Sequence, residues 1–146
     1  MDIQKLEDQI NEVIEKDEEL QDLRLKQIEI LRTKAKEFEE VIDLYKSKEI
    51  RFCHPNNNVK TIIGPIMGVK DRKIYIYHRD EKRVISMYAD SSVDDSERSN
   101  WSELIFEGLF EDALIGFNYL LNMQADYLDF YNKEIDKINH LIEQYK

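Results

Sequence analysis

A chain of 146 residues with 42% hydrophobic and 36% charged side chains, four Gly and two Pro has the composition of one helix-rich folded domain, and excludes a disordered chain. Its formal charge is −10, from 31 acidic against 21 basic side chains, so direct nucleic-acid binding is not expected: the surface repels phosphates at long range. The single cysteine, Cys53, cannot form an internal disulfide, and the N-terminus has neither a basic start nor an apolar run, which makes a reducing, cytoplasmic setting the expectation.

Residues 1–48 read as one long helix. No Gly or Pro interrupts residues 2–47. Ile3, Leu6, Ile10, Val13 and Leu20 follow 3–4 spacing, with Asp17 interrupting the seam. The phase then slips through Leu23, Ile28, Leu31, Ala35, Phe38, Ile42 and Tyr45. Such a helix would be about 69 Å long and needs a partner for its apolar stripe. The slip and the polar interruption argue against an ideal heptad zipper.

Residues 49–90 read as an antiparallel meander of three or four strands. Residues 49–53 could begin it, residues 54–58 form a turn, and residues 59–69 form one bent or two short strands broken at Gly64-Pro65. Lys70-Asp71-Arg72-Lys73 is a tight turn. A hairpin then closes around residues 79–82, which sets His78 opposite Arg83 and Ile76 opposite Ile85. One face carries Ile74, Ile76, Ile85 and Met87, the expected core side. The other carries Lys73, Tyr75, Tyr77, Val84, Ser86 and Tyr88.

Residues 91–99 read as an acidic loop and residues 100–146 as a second long helix, with Asn100 as N-cap and Glu103 completing a capping box. Its apolar residues, from Leu104 and Ile105 to Leu141 and Ile142, keep helical spacing. Gly108 and Gly116 lie on similar faces and suggest a close crossing. The longest charge-free stretch here, 13 residues from 113 to 125, is too short to span a bilayer. The whole is an α+β domain: two long helices, expected to run antiparallel and coiled-coil-like, flanking the meander. The excess apolar surface of the helices calls for a second copy, most simply a homodimer.

Charge is unevenly distributed along this order. Residues 1–48 carry 9 basic and 14 acidic side chains, residues 49–84 carry 8 and 4, and residues 85–146 carry 4 and 13. The positive middle segment, with its tyrosines, is the candidate working surface. Tyr75, Tyr77 and Tyr88 would stack on a ligand, while Lys73, Arg79, Lys82 and Arg83 would supply charge to an anionic small molecule or an acidic protein surface. Alternatively, the same tyrosines form the inner wall of a contact with the acidic helices.

No spacing of metal ligands, nucleophile and base, or phosphate-cradling glycines is present, so neither a cofactor, a metal nor catalysis is expected. Glu12-x-x-Glu15 and Glu40-x-x-Asp43 resemble the paired acidic motifs of the all-α nucleotide pyrophosphohydrolases. On one continuous helix, however, the two pairs sit about 42 Å apart and cannot share an ion. Glu103, Glu107 and Glu111 stack at i, i+4 and offer a negative stripe to a basic partner. Three functions follow: a non-catalytic oligomeric binding protein using the basic, Tyr-rich face; an acidic accessory or viral inhibitor of a nucleic-acid-handling enzyme; or a structural coiled-coil scaffold.

Overall fold

The computed structural model describes residues 1–88 and 97–146, the side chains of residues 97 and 98 excepted; most of the acidic loop expected at 91–99 lies outside the described residues. The class is α+β, with a long N-terminal helix, antiparallel strands and a C-terminal helix.

Helix α1 spans Ile3–Glu37 and α2 spans Glu39–Ser47. Asp2 caps α1, accepting a hydrogen bond from the Lys5 N–H at 3.1 Å. Helical hydrogen bonding carries through the Phe38 joint on both sides, from Phe38 N to Lys34 O and from Ile42 N to Phe38 O. The phase slip in the sequence divides this rod in two. Leu31, Ala35, Phe38, Ile42 and Tyr45 are buried in the main core, whereas every side chain of residues 1–23 is exposed.

Two short strands, β1 (Phe52–Cys53) and β2 (Lys60–Thr61), pair with each other. A second sheet has the order β3 (Ile66–Lys70), β4 (Lys73–His78), β5 (Arg83–Tyr88), β6 (Glu97–Arg98), all antiparallel. The β4–β5 register is the one expected, with His78 opposite Arg83 and Ile76 opposite Ile85. Both tight turns place non-glycine residues at positive φ: Asp71 and Arg72 in the first, as a type I′ turn requires, and Lys82 in the second.

Helix α3 (Trp101–Phe106) begins at Asn100, which accepts from the Glu103 N–H at 2.8 Å. The expected single C-terminal helix breaks twice. Gly108 takes φ +77, its N–H bonds to Ile105 O, and the Leu109 N–H bonds to Leu104 O, a Schellman stop. After α4 (Phe110–Asn118), a 3-10 turn at Tyr119–Leu121 redirects the chain into α5 (Met123–Gln144). Gly108 is therefore a helix terminator with open space at its missing Cβ, not a crossing point. Gly116 does mark a crossing: a Cβ there would collide with the Ile66 carbonyl of β3.

Both sheet faces are covered. The isoleucine face expected to be the core side packs in a smaller cluster of Ile63, Ile66, Ile74, Ile76 and Ile85. The larger core lies on the tyrosine face, under α3, α4 and the inner half of α1. Outside this head, the helices do not cover each other as an antiparallel pair. The outer part of α1 is bare, and in α5 only Met123 is buried.

Candidate functional site

The tyrosine face is an inner wall, not an open surface. Tyr75 and Tyr77 are 2% and 3% exposed. The Tyr77 ring lies 5.9 Å from both Trp101 and Phe117, and the Tyr75 hydroxyl donates to Glu103 Oε1 at 3.4 Å. Burial raises the pKa of both phenols, which holds them neutral. Neither can stack on a ligand. The expectation of an open face fails because a tyrosine ring is a large apolar body, and once its hydroxyl finds a partner it serves as core. Tyr88, at the end of β5, is exposed.

The cations chosen beside those tyrosines are mostly engaged. Arg79 forks onto Asp43, with Nε–Oδ1 at 3.0 Å and Nη2–Oδ2 at 3.1 Å, and reaches Glu39 at 3.8 Å. Lys73 pairs with Glu103 at 3.5 Å and Arg83 with its loop neighbour Glu81. Lys82 is exposed at the hairpin tip and makes no ion pair among the described residues. The positive segment thus neutralises acids of α2 and α3.

The acidic row of Glu103, Glu107 and Glu111 is broken by the stop at Gly108. Glu103 accepts from Ser99 Oγ at 2.7 Å, and this bond, reinforced by Lys73, holds its carboxyl below the usual range against the opposing effect of burial. Glu107 pairs with Lys70 at 3.6 Å, while Glu111 stands exposed on α4. The carboxylate pairs at Glu12/Glu15 and Glu40/Asp43 stay on separate stretches, since α1 runs unbroken through residues 17–26. His54 is a buried strut: its Nε2 lies 2.7 Å from the Asp112 carbonyl and its Nδ1 accepts from the Asn56 N–H at 3.0 Å, which makes Nε2 the protonated nitrogen. Among the described residues no three of His, Cys, Asp and Glu converge on a point that could hold a metal ion.

What the fold does assemble is a groove at the foot of α5, against β1, β2 and the segment leading into them. A cavity of about 570 Å³ is lined by Ile50, Arg51, Lys60, Tyr127, Leu128 and Tyr131, among others. A smaller one of about 220 Å³ adjoins it across Lys60, Tyr127 and Tyr131 and reaches Cys53 and Phe130. The Tyr127 and Tyr131 rings are near-parallel, 17° apart with centroids at 6.3 Å. Lys60 Nζ lies 5.5 Å from the Tyr127 centroid. The Tyr127 hydroxyl donates to the Arg51 carbonyl at 2.9 Å, fixing the ring; burial first, with the neighbouring Cys53, pushes its pKa up to about 12. Tyr119 behaves alike: it donates to Asp126 at 2.5 Å and its pKa is raised chiefly by burial.

None of these residues is among those the sequence marks for a site: Leu128 and Tyr131 fall within the apolar spacing of residues 100–146, and Cys53 reads only as an unpaired thiol. The available signal was the cluster of Tyr119, Tyr127, Phe130 and Tyr131 at helical spacing. The chain matches no protein-family model, and searches of curated proteins and of solved structures return no significant match.

Proposed function

We propose that the protein is a non-catalytic, self-associating binding protein: a compact head that presents two helical arms to a second copy. One observation carries this reading. Beyond the phase slip that follows the buried run from Leu31 to Tyr45, α1 carries a separate apolar stripe of Ile3, Leu6, Ile10, Val13 and Leu20, all exposed. Helix α5 carries a second bare stripe in Ile135, Ile138, Leu141 and Ile142. Stripes of this kind are stable when another helix covers them.

The occupant is a second copy, with the α5 of each lying on the α1 arm of the other. Length allows this: the part of α5 beyond the tyrosines, residues 132–144, is about 20 Å long and fits on the bare part of α1. Charge supports it too. Residues 1–23 hold nine acidic and two basic side chains, so two α1 arms side by side would repel, whereas residues 123–144 hold only five and two. A two-fold exchange satisfies both arms with one self-complementary interface.

Sedimentation equilibrium tests the arrangement. The wild type is expected to be dimeric, and Ile10→Glu and Ile138→Glu are each expected to weaken association at least about tenfold, a cost of about 1.4 kcal/mol. Near-ultraviolet circular dichroism of the head should not change. A wild-type monomer at every accessible concentration overturns the reading, and sensitivity at only one of the two positions overturns the exchange.

A second reading rests on the acidity of the α1 arm. Nine carboxylates on one projecting helix could dock on a basic protein such as a nucleic-acid-handling enzyme.

A further inference from the structure

We propose that the groove at the foot of α5 binds a planar aromatic anion of about nucleoside-monophosphate size, its ring on the exposed Tyr131, which Tyr127 backs, and its anionic group held by Lys60 and Arg51. This goes beyond self-association and rests on different residues. Three observations point the same way.

The first is charge. Lys70, Lys73, Arg79 and Arg83 of the basic middle segment are all spent on nearby carboxylates. Lys60 and Arg51 are not: both are exposed, and neither makes an ion pair among the described residues. In a protein of net charge −10, two unneutralised cations on one groove are the place where an anion is attracted. Glu49 stands on the same rim and offsets one of them. In the larger cavity the local excess is a single positive charge, which suits one phosphate or sulfonate and not a polyphosphate; the carboxylate of Asp126, on the smaller cavity, accepts from Tyr119.

The second is the ring surface. Tyr131 is 56% exposed, although it stacks on Tyr127. Tyr127 is held rigid by its bond to the Arg51 carbonyl and by Lys60 over its ring. A flat ligand ring meets an apolar platform that is already ordered, so little entropy is lost on binding. The third is size. About 570 Å³ lies within the range of small-molecule sites, about 300–1,000 Å³.

Isothermal titration calorimetry on the full chain tests this, with adenosine monophosphate and naphthalene-2-sulfonate as ring-bearing anions and with adenosine and inorganic phosphate as the separated halves. We expect at least one ring-bearing anion to bind with one site per chain, at least about tenfold tighter than either half, and adenosine triphosphate to bind no tighter than the monophosphate. Lys60→Ala and Tyr131→Ala, both at exposed positions that leave the fold intact, are each expected to lower affinity about tenfold. Arg79→Ala should leave it unchanged. Binding should persist in Ile138→Glu, which separates this outcome from failure of the dimer. No heat with both ring-bearing anions, phosphate alone binding as tightly, or affinity unchanged in both groove variants overturns the proposal.

Discussion

Glu103 joins three elements through one carboxylate: Ser99 before α3, Lys73 and Tyr75 on β4, and its own helix. Its folded-state pKa lies below its ordinary value, chiefly through the Ser99 bond. A depressed carboxylate stabilises the fold above its unfolded pKa, about 4.3, and that contribution is lost as pH falls through the folded value. Glu103→Gln should therefore lower the urea midpoint more at pH 7 than near pH 3. An equal loss at both pH values would mean that the carboxylate charge plays no part. The same residue explains a reading that the sequence left open. Alternation told which side chains share a face with Tyr75, but not that a carboxylate from 28 positions away accepts its hydroxyl. That partner is what allows the ring to be core.

Gly108 and the turn at Tyr119–Leu121 separate the helical elements that periodicity merged. Apolar spacing continues across residues 100–146 without a Pro, so the stop at Gly108 and the turn at Tyr119–Leu121 left no trace in the pattern. The two glycines look alike in sequence and do opposite things. Gly108→Ala is expected to cost about 1 kcal/mol, since alanine must adopt a left-handed backbone in open space. Gly116→Ala gains helix propensity but drives a methyl into the Ile66 carbonyl, and should cost about 2–3 kcal/mol net. Thermal melts of the two variants check the ranking; equal losses would remove the close crossing of α4 on β3. The strands were far more legible. The tight turn at residues 79–82 pinned the β4–β5 register, because a one-residue slip would invert both faces. The groove was half legible. Its aromatic wall is a local cluster in one helix, but its cations come from positions 51 and 60, and only the tertiary fold brings them to Tyr127.

For the molecule as a whole, the charge map becomes a division of labour. Lys73 and Arg79 close the seam between sheet and acidic helices, Lys60 and Arg51 remain at the groove, and the surplus acid is carried outward on the arms. Two acidic copies that meet through apolar stripes repel at long range. Their association should tighten as salt is raised from low ionic strength, because screening removes repulsion and leaves the burial term. Docking of the arm on a basic partner would weaken under the same change. Sedimentation equilibrium at two ionic strengths therefore distinguishes self-assembly from capture of a basic protein by the sign of one slope. Among the described residues no helix is long and apolar enough to cross a membrane.

The contact between Trp101 and Tyr77 gives the molecule a built-in reporter. Trp101 is the only tryptophan, and it sits within the head, 5.9 Å from a buried ring and remote in sequence from both bare arms. Its emission should shift when the sheet parts from α3 and stay constant when arms join or separate. Unfolding of the head and exchange of the arms can then be followed in one sample by two independent signals, fluorescence for the first and mass for the second.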